Sequence, residues 1–393
     1  MNTFYSLVAQ PWFRPVIVTL AVLAITPLFI GYMSLVERKV LADFQARYGP
    51  MRVGPHGLLQ PIADALKFLL KEDTVPAAAE RPVFLLAPIF SVLAAMVGLA
   101  VLPFASHIFI ADINVALLLI VAVSALSVLG IILGGWASGS HYPLLGALRS
   151  AAQLVSYEVA LTLGLLATVT VSGTLSLRGT VEAQLTQRIW FLFSNFGAML
   201  LPFLVFVLAS VVETNRSPFD LPEAESELVG GYHTEFSGFR FALYMLAEWA
   251  NILVLSAVAV TIFLGGWLRP FPNIAWLAFP LDAIFPLLTC WFIAVYCVRL
   301  VKRSFFAGEK ILMFSIAAVF FVAGAIFLIP ALRAEVSALF WFFFKLSLFV
   351  YVMIWLRATL PRVRYDHLMK LGWKWLIPVG IFGVAANAVL GML

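Results

Sequence analysis

Apolar residues in this chain come in long, nearly unbroken runs, and the polar residues collect between them. Runs long enough to cross about 30 Å of hydrocarbon as helix lie near 15–36, 83–104, 114–134, 152–172, 190–212 and 241–264. Further runs cover about 278–300, 311–332, 337–357 and 373–391. An open strand edge has no partners for its backbone groups in lipid, and the short alternating segments of a membrane barrel are absent. The pattern predicts an all-α polytopic membrane helix bundle of about ten transmembrane helices, with 1–393 as a single transmembrane domain.

One polar connection has a periodicity of its own. In 57–73, GLLQPIADALKFLLKED, the residues Leu58, Leu59, Ile62, Leu66, Leu69 and Leu70 recur at helical spacing, while Asp64, Lys67 and Lys71 share another face. Pro61 suits a first helical turn. This predicts one interfacial amphipathic helix after the first span, too short and too charged to cross the membrane.

Composition agrees. Hydrophobic residues make up 63% and charged residues 11%, with mean hydropathy +1.02; a soluble domain is roughly half apolar and a quarter charged. The net charge of +5 follows from the loops rather than from nucleic-acid binding. If the 37–82 loop is cytoplasmic, most loop Lys and Arg fall on its side, and the other side receives Arg14, Arg178, Arg188, Arg269 and Arg333. The positive-inside rule then places both termini outside a cell membrane. The first run is too long for a cleavable signal and ends in Glu37-Arg38-Lys39 rather than in small residues. Cys290 and Cys297 share one apolar run and read as small packed side chains rather than as a ligand pair.

The chemistry concentrates in 213–240, ETNRSPFDLPEAESELVGGYHTEFSGFR, an acidic cytoplasmic loop containing Glu213, Asp220, Glu223, Glu225, Glu227 and Glu235. Carboxylates crowded at a bilayer face repel one another, and they are tolerated where they carry protons or pair with cations. Part of the signal is local: Asp220, Pro222 and Glu223 fit a helix N-cap, a first-turn proline and an acidic partner. Capping does not account for Glu213, Glu225 and Glu227. Within the spans, Glu158 and Glu248 each cost on the order of 3 kcal/mol at the bilayer centre. Each is either a packing carboxylate bonded to a neighbouring hydroxyl or cation, or a protonatable relay site in a hydrated interior. Lys345, in WFFFKLSLF, is either a counter-charge inside the bundle or a snorkelling side chain. There is no CxxC pair, phosphate-binding glycine loop or HExxH, and the five histidines are scattered. No redox metal, flavin or nucleotide site can be drawn from this chain.

The acidic loop resembles the signature loop of the H subunit (subunit 1) of proton-pumping NADH:quinone oxidoreductase, respiratory complex I. Four further blocks resemble the same family: ERKVLADFQARYGPMRVGPHGLLQPIADALKFLLKED, GWASGSHYPLLGALRSAAQLVSYEV, RFALYMLAEWANI and WLRATLPRVRYDHLMKLGWKWLIP. The chain departs from the family pattern at Asp43, Met51 and His141, and carries a two-helix insertion over about 270–335.

The resemblance implies a heel subunit beneath the peripheral arm of the complex, whose first span, amphipathic helix and sixth span frame a quinone tunnel. It implies tunnel positions for Glu37, Arg38, Arg47, Asp64, Arg216, Phe236 and Arg240. It implies an acidic proton-coupling funnel of Glu158, Glu213, Glu223, Glu225, Glu227 and Glu248. Quinone would be the substrate, and this chain would bind no cofactor. FMN and iron–sulfur clusters would belong to peripheral-arm partners on the cytoplasmic side, with antiporter-like membrane subunits alongside. Two other functions compete. One is the membrane anchor of a related membrane-bound hydrogenase or formate hydrogenlyase; the nearly complete first block favours quinone. The other is an independent proton-coupled transporter, against which stands the lack of an evident repeat with paired broken helices.

Overall fold

A computed structural model describes residues 13–221, 229–301 and 307–391. The helices are α1 Phe13–Phe44, α2 Gln60–Leu70, α3 Arg81–Ala100, α4 Ala116–Ala137, α5 His141–Ser172 and α6 Leu177–Gln187. They continue as α7 Leu200–Glu213, α8 Gly238–Phe263, α9 Phe285–Val301, α10 Ala307–Ile326 and α11 Pro330–Thr359. The last, α12, runs Tyr365–Leu390 through one π-helical turn at Gly372–Leu376. Among the described residues, extended pairing is limited to a bridge between Ala105 and Ile108.

Among the described residues, eight helices are long and apolar enough to cross a membrane: α3, α4, α5, α8, α10, α11, α12, and α9 with its lead-in from Ala275. Helix α1 carries the first apolar run over 32 residues. The fold is an all-α polytopic bundle.

Three elements differ from the sequence-based expectation. The run 190–212 is not one helix: Phe191–Phe193 and Asn195–Gly197 are short 3-10 turns, and α7 has only 14 residues, about 21 Å of helix. The break follows from Asn195, Phe196 and Gly197, which all hold positive φ, a conformation that ends a right-handed helix. Apolar composition concealed it. The loop before that run contains α6, whose Ser176 N-cap accepts a hydrogen bond from the Gly179 amide at 3.2 Å. The last span begins at Tyr365, with Asp366 in its first turn.

Helix α8 is the axis of the bundle. In its apolar window 83% of the residues are buried, against 17% for α9 and for α10. Its second half, from Ile252 to Phe263, joins Phe206 and Val212 of α7, Leu161 and Leu165 of α5, and Phe342 and Leu346 of α11 in the main core. Lipid is as apolar as leucine, so close packing rather than water exclusion holds such helices together. Gly146 of α5 illustrates the closeness: a Cβ there would lie 2.8 Å from the backbone carbon of Gly231 and the amide nitrogen of Tyr232.

Helices α9 and α10 form a pair with its own small core of Ala294, Cys297 and Ala317. The Trp291 and Phe321 rings stack at 5.2 Å. The pair is anchored to α11 through Phe285, whose ring stacks on Trp341 at 5.3 Å. Both cysteines are free thiols.

The amphipathic segment is helical over Gln60–Leu70 and has no buried residue. Arg38 Nη1 of α1 donates to Asp64 Oδ2 of α2 at 2.8 Å, and Gln60 braces the other carboxylate oxygen at 3.0 Å. Lys39 Nζ donates to the His56 carbonyl, so consecutive cations tie α1 to both the loop and the helix that follow it.

Candidate functional site

Two cavities flank the first half of α8. The larger, about 50 Å³, is lined by Ser124 of α4, Glu213 and Thr214 at the end of α7, Tyr232, and Tyr244 and Glu248 of α8. Polar groups reach it because otherwise apolar helices present polar residues at this level: Ser91 of α3, Ser124 and Ser127 of α4, Glu213 of α7, and Glu248 and Asn251 of α8. Ser124 Oγ donates to Glu158 Oε1 of α5 at 2.9 Å, so a third carboxylate stands behind the cavity wall. The Tyr232 hydroxyl donates to Glu248 Oε1 at 2.8 Å. Glu213 is 6% exposed, and its Oε2 has no hydrogen-bond partner among the described residues. A cavity that size holds a few waters, since one water needs about 10–15 Å³ of such space and several polar neighbours.

The smaller cavity, about 20 Å³, lies between α1, α8 and α11, lined by Glu37, Arg216, Trp249, Val350, Met353 and Arg357. Glu37 is buried and paired with Arg357. Arg216 Nη1 stands 4.0 Å from Glu37, and its Nη2 stands 3.5 Å from Glu248. The guanidinium lies over the Trp249 ring at 4.5 Å, a cation–π contact that strengthens away from water. Thr214 lines both cavities. One arginine thus stands between a carboxylate of each cavity, one wall of the smaller cavity being apolar and the other charged.

The loop carrying Arg216 is held from below and from the side. Gln153 of α5, fully buried, donates from Nε2 to the Val212 carbonyl at 3.0 Å and the Phe219 carbonyl at 3.2 Å. The Val363 amide donates to the Pro218 carbonyl at 2.9 Å, and Arg362 Nη2 donates to Asp220 Oδ2 at 3.1 Å. Burial pushes the Asp220 carboxyl above its ordinary range; Arg362, Arg357 and Arg216 oppose the shift and Glu248 adds to it.

The structure brings Glu37, Glu213, Arg216 and Glu248 to the walls of these two cavities, with Glu158 behind Ser124. Arg38 and Asp64 pair with each other at the α1–α2 junction. Arg47 is exposed and bonds Gln45 at 2.7 Å. Phe236 stacks on Phe84 at 4.1 Å, and Arg240 pairs with Asp73 at 3.0 Å, so both work at the start of α3. Glu223, Glu225 and Glu227 lie outside the described residues, as does the helix start that Asp220 would cap.

Sequence reasoning missed Arg357, Tyr232, Ser124 and Gln153. Arg357 stood uncounted at the end of an apolar run, and its partner Glu37 is distant in sequence. Tyr232 gave one faint signal, a phenol inside an acidic loop. Lys345 neither pairs with a carboxylate among the described residues nor snorkels: it is buried on the carbonyls of Leu264 and Leu268, at 2.7 and 2.9 Å. Among the described residues, no group of three or more His, Cys, Asp or Glu is placed to hold a metal ion.

Comparison with known proteins places this architecture in a family. The family model described as NADH dehydrogenase matches residues 17–306 and 300–388. The chain is 55% identical over 384 residues to the NADH-quinone oxidoreductase H subunit 2 of Solibacter usitatus, covering 98% of each chain. It is 46% identical to the H subunit 1 of Koribacter versatilis, covering 95% of this chain and 90% of that one. To the H subunit of the same oxidoreductase from Rickettsia canadensis it is 43% identical, covering 96% and 95%. At that identity and coverage, the chain belongs to the H-subunit family of NADH-quinone oxidoreductase, a multi-pass membrane component of that enzyme complex.

Proposed function

We propose that this subunit is the heel of a redox-driven proton pump, forming one wall of a quinone-access tunnel and the acidic passage that couples quinone chemistry to the membrane arm. The observation that carries the reading is the cavity shared by Glu213 and Glu248, with a buried Glu213 oxygen that no described residue satisfies. A carboxyl group facing a space that admits water can exchange protons, whereas one locked in a dry salt link cannot. The smaller cavity supplies the other half. At about 20 Å³ the space holds one or two waters rather than a quinone; what it shares with a quinone site is polarity, an apolar wall of Val350 and Met353 against a charged end of Glu37, Arg216 and Arg357.

Reduction of a quinone to quinol consumes two protons and alters the local charge balance. Arg216, between Glu37 and Glu248, carries that change from one cavity to the other electrostatically. In this reading Arg38, Arg47 and Asp64 stand at the tunnel mouth with α2 at the membrane interface, and Phe236 and Arg240 border the sixth span. Glu223, Glu225 and Glu227 extend the acidic passage from Glu158, Glu213 and Glu248. The 37–82 loop and the acidic loop face the cytoplasm, where cluster-bearing subunits dock, and both termini face out. The chain itself binds no redox cofactor; FMN and iron–sulfur clusters belong to its partners. The 270–335 segment is an insertion, and α9 and α10, the least buried spans, face lipid or a neighbouring membrane subunit.

The test is Glu213→Gln in the assembled complex in inverted membrane vesicles. The substitution keeps shape and hydrogen bonding but cannot release a proton. Expected are normal assembly, slowed NADH:quinone turnover and reduced proton uptake. Wild-type turnover with wild-type proton uptake would reduce Glu213 to a packing residue.

A further inference from the structure

Lys345 takes no part in either cavity, yet it is a cation 6% exposed in the middle of a membrane helix. Its Nζ donates to the Leu264 carbonyl at 2.7 Å and the Leu268 carbonyl at 2.9 Å, and lies 4.9 Å from the Trp190 ring centroid. Leu264 is the C-cap of α8, so the ammonium faces the negative end of a helix whose last carbonyls have no intrahelical donors. Gly265 then turns the chain with φ 74°, and a Cβ there would lie 2.8 Å from Cδ1 of Trp190. The ammonium is therefore compensated by carbonyls, a helix end and a ring face.

Its place in the fold gives this latch a consequence. Helix α11 carries Lys345 and, twelve residues on, Arg357, the partner of Glu37; that separation is about 18 Å along the axis. Helix α8 carries Glu248 and Trp249, which hold Arg216, about 24 Å from the Leu264 end. Between those levels the two helices meet through apolar residues such as Ile252, Val350 and Ile354 around the smaller cavity. Those apolar contacts set the register by side-chain fit. Two hydrogen bonds from one ammonium add a directional constraint at the Leu264 end of α8.

We propose that Lys345 is a positioning residue for the quinone-facing ion pairs: by pinning the far end of α8 to α11, it holds the register in which Arg357 meets Glu37 and Arg216 meets Glu248. Methionine at this position would fill the space and leave both carbonyls without their donor. The helices would then shift relative to one another and the pairs at the other end would separate. The inference rests on the smaller cavity being quinone-facing, and its test is arranged to separate the two ideas.

The assembled complex is assayed in native membranes as Lys345→Met, Arg357→Met and the double variant, with KM for quinone and kcat measured separately. Each single variant should raise the quinone KM about tenfold, and the double variant should raise it no further, because both act on one register. Lys345→Arg, which still donates to both carbonyls, should keep KM within about twofold of wild type. If Lys345→Met does not assemble, Lys345→Gln retains a donor for one carbonyl and serves the same comparison. An unchanged KM in the Lys345 variant beside a raised one in Arg357→Met overturns the positioning role alone, as does a strictly multiplicative double variant. An unchanged KM in Arg357→Met overturns the quinone-facing reading itself, and the positioning role with it.

Discussion

Gly146→Ala tests whether the hydroxyl that holds Glu248 matters, through a residue that touches neither cavity. Gly146 of α5 packs against the turn Gly231–His233, and an added Cβ would stand 2.8 Å from Gly231 C and Tyr232 N and 2.9 Å from Gly231 Cα. All three are backbone atoms, so no side-chain rotation relieves the clash. Reaching the 3.4 Å of ordinary contact requires the turn to move by about 0.6 Å. Overpacking of this kind costs about 1–3 kcal/mol. The Tyr232 ring is 1% exposed, so it moves with its backbone.

A displacement of that size stretches the 2.8 Å contact to Glu248 Oε1 to about 3.4 Å, beyond the range of an O–H···O bond. A hydrogen bond to a charged group contributes about 1.5–3 kcal/mol, and 1.36 kcal/mol is a factor of ten in rate. If Glu248 relays protons, coupled turnover should fall about ten- to a hundredfold on those terms. The assay is NADH:quinone reductase activity with proton uptake in inverted vesicles, normalised to assembled complex on a native gel. Tyr232→Phe is the isosteric control: the edge-on contact with Tyr244, 5.2 Å between centroids, survives and only the hydroxyl is lost. It should reproduce the functional loss without the packing cost. Wild-type turnover and proton uptake in both variants would refute the link between that hydroxyl and proton transfer.

Glu213→Gln should assemble normally and lose proton uptake along with quinone turnover in inverted vesicles, and Lys345→Met should share one KM effect with Arg357→Met. Arg362→Ala should make the protein more sensitive to alkali. Burial holds the Asp220 carboxyl above its ordinary value and Arg362 opposes the shift, so the folded state disfavours the charged acid more once the arginine is gone. That penalty is absent at acid pH, where the group is protonated in both folded and unfolded states, and grows as pH rises through the raised folded value. Thermal inactivation measured from pH 5 to 9 should show a variant–wild-type gap that widens upward, and a flat gap would contradict the sign. Trp291→Ala, which removes the stack on Phe321, should lower the melting temperature of the assembled complex and leave the quinone KM unchanged.

The apolar runs alone determined the class of fold. Lipid demands that backbone groups be paired within each segment, so length and hydropathy suffice to predict helices, and composition excludes a soluble domain. The acidic residues of the spans were legible for the same reason: a carboxylate inside an apolar run is expensive, and Glu158 and Glu248 stand out against it. What averaged hydropathy could not show was the break at Asn195–Gly197, because the apolar residues on both sides of Ser194, Asn195 and Gly197 outweigh those turn residues.

The partners belong to tertiary structure. Glu37 with Arg357, Gln153 with the Phe219 carbonyl, and Lys345 with the end of α8 join residues 66 to 320 positions apart. Nothing local ties them together. The sequence left Lys345 as a counter-charge or a snorkelling side chain, since either satisfies an ammonium; the structure shows neither. Packing decided it, by setting α11 against α8 so that the only acceptors within reach of Nζ among the described residues are carbonyls. Membrane helices announce themselves one at a time through their cost in water; which of their faces meet is decided by side-chain fit between segments that the lipid solvates equally well.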